Sequence, residues 1–271
     1  MSNPSFHLSK WYLDVVDDDG RSFIGYAGEV SWKGFRAPYT SILLHNGAET
    51  ERNEFRLHHI AAPEPDAENN TLSWKDVRFG LSGVWTGALK PVSVRLFEND
   101  EGFVDWRCYL PQARVALVLE NTNPLNGRGY AEQIEITCPP WHIPMGQLRW
   151  GRFLSEEYCI IWIEWRTDSP QQWVFLNGVP VYRAQIGDDE VVLPEQGLRF
   201  TLDRSGNLES EKKIQQVAGR LLSFLPGFKQ SAPARFLYAD EYKWRSRARL
   251  YEQGILKNEG WAIHELVDFS R

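Results

Sequence analysis

KWYLDVVDDDGRSFIGYAGEV, residues 10–30, decides how this chain is read. WYLDVV and RSFIGYAGEVSW are dense in β-branched and aromatic residues, which favour a pleated, half-buried surface. Between them DDDG places an Asp-Gly pair, Asp19-Gly20, where a hairpin turns. Working outward, strand-like runs follow along the whole chain: SILLHN, EFRLHHI, LSWKDVRFG, VSVRLFE, GFVDWRCYL, RVALVLE, YAEQIEIT, YCIIWIEWR, QWVFLN, VPVYRAQI and LRFTLDR. Gly, Asn, Asp or Pro punctuates most of them. This spacing predicts an all-β sandwich or barrel rather than βαβ units. One stretch reads as helix: in ESEKKIQQVAGRLLSF, residues 209–224, Ile214, Val217, Leu221 and Leu222 have helical spacing. In YKWRSRARLYEQG the period-2 pattern of Trp244, Ser246, Ala248 and Leu250 against Arg245, Arg247 and Arg249 predicts a strand whose arginines form a solvated outer face.

A length of 271 residues accommodates one large β domain or two smaller ones. The 12 Trp, 10 Tyr and 14 Phe fill wide apolar interiors. A net charge of −6 without a clustered positive field speaks against a nucleic-acid partner. Cys108, Cys138 and Cys159 are far apart, odd in number and without a C-x-x-C, which fits free thiols in a reducing compartment and no zinc site. His58 and His59 are adjacent and point to opposite faces of a strand, and no H-x-H or H-E-x-x-H occurs. No secretory leader is evident at MSNPSFHLSKWYL, and no apolar run approaches the roughly 20 residues of a membrane span. The expectation is a cytoplasmic protein with no integral membrane segment.

Two breaks divide the chain. ENTNPLNGRG, residues 120–129, has the composition of a linker, and TCPPWHIPMG, residues 137–146, is rich in proline. The boundary between two β units is placed across 121–146, giving units 1–128 and 129–271, similar in kind but without a strict repeat. Just past the first break, GRGYAEQIEI, residues 127–136, puts Tyr130, Glu132, Ile134 and Ile136 on one strand face. A carboxylate in line with an aromatic and two isoleucines either lines a pocket or is solvated at a barrel mouth.

Three stretches, in order, resemble the carotenoid 1,2-hydratase (hydroxyneurosporene synthase) family and its lipocalin-like relatives. KWYLDVVDDDGRSFIGYAGEV is similar to that family's E-W-W-Y-F-D-A…DDG opening, GRGYAEQIEI to its G-x-G-Y-x-D-H-x-W-G segment, and LRWGRFLSEEYCIIWIEWR to its W-x-W-G-R strand and the strand after it. The resemblance implies two consecutive lipocalin-like antiparallel barrels with few short helices, a functional motif near their junction, apolar or terpenoid ligands, and no metal or organic cofactor. The chain departs from the family at Gln133, which stands where the histidine belongs and cannot titrate. It departs also at Lys10 and Leu13, where the family tends to have Glu and Phe, and in lacking the Trp-Gly pair.

Adding water to an isolated alkene requires a proton delivered to carbon, and a carboxyl group in an apolar pocket is suited to deliver it. Aromatic faces stabilise the resulting cation. Glu132 is the candidate acid, and Tyr130 completes the catalytic pair. Trp11, Trp150, Arg152, Trp162 and Glu164 form the candidate ligand-binding set. The competing structural reading pairs Glu132 with an arginine such as Arg152. Asp14 reads as a solvated acid at a strand end, and Gly151 as a point of close approach. Two functions stand side by side: a module that binds an apolar small molecule, and a hydratase, isomerase or cyclase acting on a terpenoid. A third reading has both barrels filled by their own aromatic side chains.

Overall fold

A computed structural model of the chain describes residues 6–204, 206–213 and 225–269. It is all-β, with two barrel-like domains. The first is built from β1 (Phe6–Val16), β2 (Ser22–Trp32), β3 (Phe35–His45), β4 (Thr50–Leu57), β5 (Asp66–Glu68), β6 (Thr71–Asp76), β7 (Leu81–Gly87), β8 (Val92–Asn99), β9 (Gly102–Leu119) and β10 (Leu125–Ile136). The second uses β11 (Gln147–Leu154), β12 (Cys159–Arg166), β13 (Gln171–Leu176), β14 (Val179–Val181), β15 (Gln185–Ile186), β16 (Glu190–Leu193), β17 (Leu198–Leu202), β18 (Gly206–Lys213), β19 (Asp240–Glu252) and β20 (Ile255–Asp268). Two single-turn helices, α1 (Phe228–Ser231) and α2 (Ala234–Leu237), complete the described residues.

The opening hairpin is β1–β2, paired from Phe6↔Trp32 to Val16↔Ser22. Its turn is closed by Asp17, whose carbonyl accepts from Gly20 N at 3.1 Å and whose carboxylate accepts from Arg21 N at 2.8 Å. Gly20 takes φ +85°, a left-handed conformation glycine adopts without a Cβ penalty. From there the antiparallel order is β4-β3-β2-β1-β10-β9-β7-β6-β5, with β8 added to β9. The second sheet runs β14-β13-β12-β11-β20-β19-β17-β16-β15, with β18 added to β19. Adding ten to each strand of the first order yields the second, so the chain contains one topology twice. The side chains that fill the two interiors differ, and the sequence shows no strict repeat for that reason.

The first interior gathers Trp11, Leu13, Val15, Phe23, Trp74, Trp85 and Ala131 with their neighbours. The second gathers Phe153, Ile160, Trp162, Phe200, Ala248, Leu250 and Ala262. Burying such side chains contributes roughly 1.5–3 kcal/mol each.

The described residues gather into two compact units, 6–143 with 225–233, and 144–204 and 206–213 with 234–269. β10 runs through residues 128 and 129, and its Leu125 and Ala131 both belong to the first core. Three sequence expectations are corrected here. ENTNPLNGRG is a short turn running into a strand, with Asn121 at φ +63° and Arg21 donating to Asn123 O and Pro124 O. Asp14 is completely buried, not a solvated strand end. The arginine stripe of β19 is solvated only in part, for Arg247 and Arg249 pair with Glu259 at the surface while Arg245 is buried. The helical reading of 209–224 falls from residue 214 onward outside the described residues.

Candidate functional site

Strand alternation places Tyr12 and Asp14 on one face of β1, and Trp11, Leu13 and Val15 on the face turned to the first core. Pairing with β10 sets Asp14 opposite Tyr130 and Tyr12 opposite Glu132. Glu132 is in turn opposite Cys108 of β9. Two acids and two phenols therefore form a checkerboard on two adjacent strands, and the whole set is buried although it points away from the first barrel's core.

Within this patch Tyr12 donates to Asp14 Oδ2 at 3.0 Å. Tyr130 donates to Glu132 Oε2 at 2.5 Å, and Trp106 Nε1 donates to the same oxygen. The Tyr12 ring lies 6.1 Å from Tyr130 and 5.5 Å from Tyr26, both edge-on. Burial pushes the Tyr130 phenol well above its ordinary range, and Cys108 and Glu132 beside it add to the shift. Tyr130 is thus held as a hydrogen-bond donor. Chemically, the patch is one carboxyl oriented by two fixed donors, a second carboxyl nearby, and aromatic rings around both.

Of the predicted residues, Tyr130 and Glu132 belong to this patch. Trp11 does not, since it lies on the opposite face of β1, in the barrel interior. Trp150, Arg152, Trp162 and Glu164 belong to the second unit and are divided between the two faces of its sheet. Trp150 and Arg152 are buried on the face turned away from the second core, where Arg152 Nη1 donates to Trp261 O at 2.8 Å. Trp162 is itself part of that core, its ring tilted against that of Phe200 at 5.3 Å. Its ring fills the space over Gly151, where a Cβ would stand 2.2 Å from Trp162 Cζ2. The close approach foreseen at Gly151 is thus to a core side chain.

Glu164 is part of an arginine collar at one end of the second barrel. It accepts from Arg166 Nε at 2.9 Å, and Arg166 Nη2 holds Ile186 O at 2.8 Å. Arg149 Nη1 holds Gly187 O at 3.1 Å and also pairs with Asp188, while Arg204 Nη2 holds Asp188 O at 2.5 Å. Three guanidinium groups thereby clamp the β15–β16 turn.

Sequence reasoning missed Tyr12, Trp106 and His264. Trp106 was legible only through the β9–β10 register. His264 is 5% exposed and stacks 5.1 Å from Trp244, and its Nε2 shares a hydrogen bond with Ser246 Oγ at 2.9 Å. Burial, with Arg204 and Arg149 adding, lowers its pKa to about 3. A signal for it was present: Gly129-Tyr130-Ala131 returns as Gly260-Trp261-Ala262. A Cβ at Gly129 would lie 2.2 Å from Asp14 O, and one at Gly260 would lie 2.2 Å from Leu154 O. The two segments are equivalent, so Glu132 corresponds to Ile263 and Gln133 to His264.

An all-β chain of two barrel-like domains with the same strand order is the class these observations define. No protein-family model matches the chain. No curated protein matches it by sequence. Solved structures match it in fold. Kievitone hydratase from Nectria haematococca superposes with a TM-score of 0.56 at 10% identity, covering 98% of this chain and 89% of that one. CghA gives 0.54 at 9% identity, with 99% and 89% covered. An AttH candidate from Nitrosomonas europaea gives 0.53 at 8% identity, with 98% and 93% covered. The chain shares the fold of these proteins across nearly its whole length. No helix among the described residues is long and apolar enough to cross a membrane.

Proposed function

We propose that this protein is a lipocalin-like enzyme of the hydratase, isomerase or cyclase kind, acting on an apolar, alkene-bearing small molecule such as a terpenoid. Glu132 is its acid, and it works in the cytoplasm without metal or organic cofactor. The observation that carries the reading is internal to the chain. At the position of Glu132 the second unit has Ile263, and at the position of Asp14 it has Leu154. The fold therefore accepts apolar side chains at both places. Burying carboxyls there instead costs free energy that the architecture does not require. Acid chemistry in a water-poor patch supplies the reason.

In this scheme Tyr130 and Trp106 fix the Glu132 carboxyl in place, and that carboxyl delivers its proton to the substrate. Protonation of one alkene carbon consumes the π pair and leaves a cation at the other. The rings of Tyr12 and Tyr130 stabilise that cation. Capture by water, with its proton returned to the carboxylate, gives hydration; loss of a neighbouring C–H proton gives isomerisation. The kievitone hydratase fold supports the reading as analogy.

The experiment is Glu132→Gln assayed with apolar polyenes, including any compound extracted by organic solvent from protein purified from its host. Conversion is expected to disappear while binding stays nearly intact. Full turnover by Glu132→Gln overturns the assignment. The binding-only reading is favoured by Gln133 standing in place of a titratable histidine; tight binding with no turnover by the wild-type protein would select it.

A further inference from the structure

The face of β1 and β10 opposite Glu132 carries a second arrangement. Trp11 is paired across the strands with Gln133 and lies on the inner face of the first barrel. The indole is 5% exposed, and its Nε1 has no hydrogen-bond partner among the described residues. A buried N–H without an acceptor is costly, and most buried donors in proteins are satisfied. The side chains around this one are already committed. The Tyr109 ring packs tilted against the indole at 4.7 Å and its hydroxyl donates to Gln133 Oε1 at 3.3 Å, and Gln133 Nε2 donates to Ser9 Oγ at 3.2 Å. Ser9 accepts that bond and keeps its own hydroxyl hydrogen for a further acceptor.

We infer that the inner end of the first barrel at Trp11 is a binding site for the neutral oxygen acceptor, a ketone or similar carbonyl, of an otherwise apolar molecule. The Trp11 N–H and the Ser9 hydroxyl are its two donors. The apolar part of the ligand suits the barrel wall of Leu13, Ala27 and Ala131. Neutrality follows from the surroundings: Ser9 is flanked on its two neighbouring strands by Glu29 and Glu135, so an anionic head would meet two carboxylates. Those carboxylates are held by Arg36 and His7, respectively. Tyr109 is half-buried and bound through one side-chain hydrogen bond, and the ligand reaches Nε1 by displacing its ring. The site stands on geometry separate from Glu132 and does not depend on the acid assignment.

The test uses β-ionone, a neutral terpenoid ketone, and the same carbon skeleton without oxygen. With the tryptophans labelled at the indole nitrogen, β-ionone should shift the Trp11 N–H resonance and the hydrocarbon should not. Trp11→Phe keeps a ring for Tyr109 to pack against but removes the donor. It should weaken β-ionone binding about five- to tenfold and leave hydrocarbon binding unchanged. Ser9→Ala, a mild change at a half-buried position, should weaken only the ketone. An unmoved Trp11 resonance, or cross-peaks from its N–H to water alone with β-ionone present in excess, overturns the site, as does an equal loss for both probes. Glu132→Gln read in parallel separates the two ideas. Lost turnover with an intact Trp11 shift supports both, whereas lost turnover with an unmoved Trp11 overturns only the inference made here.

Discussion

Replacing His264 by glutamine gives the second unit the side chain that the first carries at Gln133, and should remove a specific acid sensitivity. His264 has a folded pKa of about 3, against an ordinary value of 6.5. Its folded pKa is depressed, so between these values the unfolded chain binds a proton that the folded chain does not. The associated stability is present in full above about pH 6.5 and is lost as pH falls toward 3. Integrated from pH 8 to pH 5, the loss is about 2 kcal/mol. In His264→Gln the introduced amide, which can donate or accept, can take over the bond with Ser246 Oγ, which also accepts from Arg204 N at 2.9 Å. Packing lost between Trp162 and Trp244 is independent of pH and cancels in the comparison. Urea unfolding of both proteins at pH 8 and pH 5 should show a wild-type loss exceeding the variant's by about 2 kcal/mol. His58, whose pKa is also lowered by burial and by Arg78, contributes equally to both. A difference below about 0.5 kcal/mol, or a His264 ring resonance that titrates near pH 6.5, would refute the assignment of a buried neutral imidazole.

Three other outcomes follow from the same geometry. Glu132→Leu removes the carboxylate acceptor of the Tyr130 hydroxyl and the Trp106 indole N–H and should cost about 2–4 kcal/mol in urea unfolding; adding Tyr130→Phe should recover part of this, so additivity of the two changes would contradict the bond between them. Gly151→Ala drives a methyl into the Trp162 ring and should destabilise the protein by about 1–3 kcal/mol, with Trp162→Phe in the same chain restoring some of it; an unchanged thermal midpoint would show that the ring does not fill that space. Asp188→Asn removes the carboxylate clamped by Arg149 and Arg204, so amide exchange at residues 187–190 should quicken, and added salt should produce the same effect in the wild-type protein but little in the variant.

Much of this architecture was legible because period-2 patterning survives in the sequence. The β1–β2 hairpin, the β19 strand and the shared face of Tyr130 and Glu132 all follow from alternation and turn chemistry. Alternation does not, however, say which face turns inward. In β12 both Ile160 with Trp162 and Ile161 with Ile163 are buried, so no polar face marks the outside. The candidate ligand set consequently mixed Trp162 and Glu164, on the inner face, with Trp150 and Arg152, on the other. Composition misleads at the break before β10 for a related reason. Gly127, Gly129 and Pro124 suggest a linker by composition, yet Gly129 is there because Asp14 O leaves no room for a Cβ. Trp106 could not be read as a partner of Glu132 without the bulged β9–β10 register.

Comparing the two copies of the topology separates what the fold demands from what it merely permits. Gly129 and Gly260 are both glycine, and Ala131 and Ala262 are both alanine. A Cβ at either glycine would stand 2.2 Å from a carbonyl oxygen, and each alanine lies in its barrel's core. These identities have a steric cause and would be expected in any chain folding this way. Around them the copies diverge in chemistry: Tyr12 against Arg152, Asp14 against Leu154, Glu132 against Ile263, Gln133 against His264. Neither member of such a pair is imposed by the backbone, since the other copy folds with its alternative. A buried acid with two dedicated donors, at a place where isoleucine suffices, is therefore a property of the first unit alone. The proposed acid function therefore belongs to the first unit only. Transplanting the Glu132, Tyr130 and Trp106 set onto Ile263 and its neighbours would not recreate it, because there Arg152 stands opposite residue 263 in place of Tyr12.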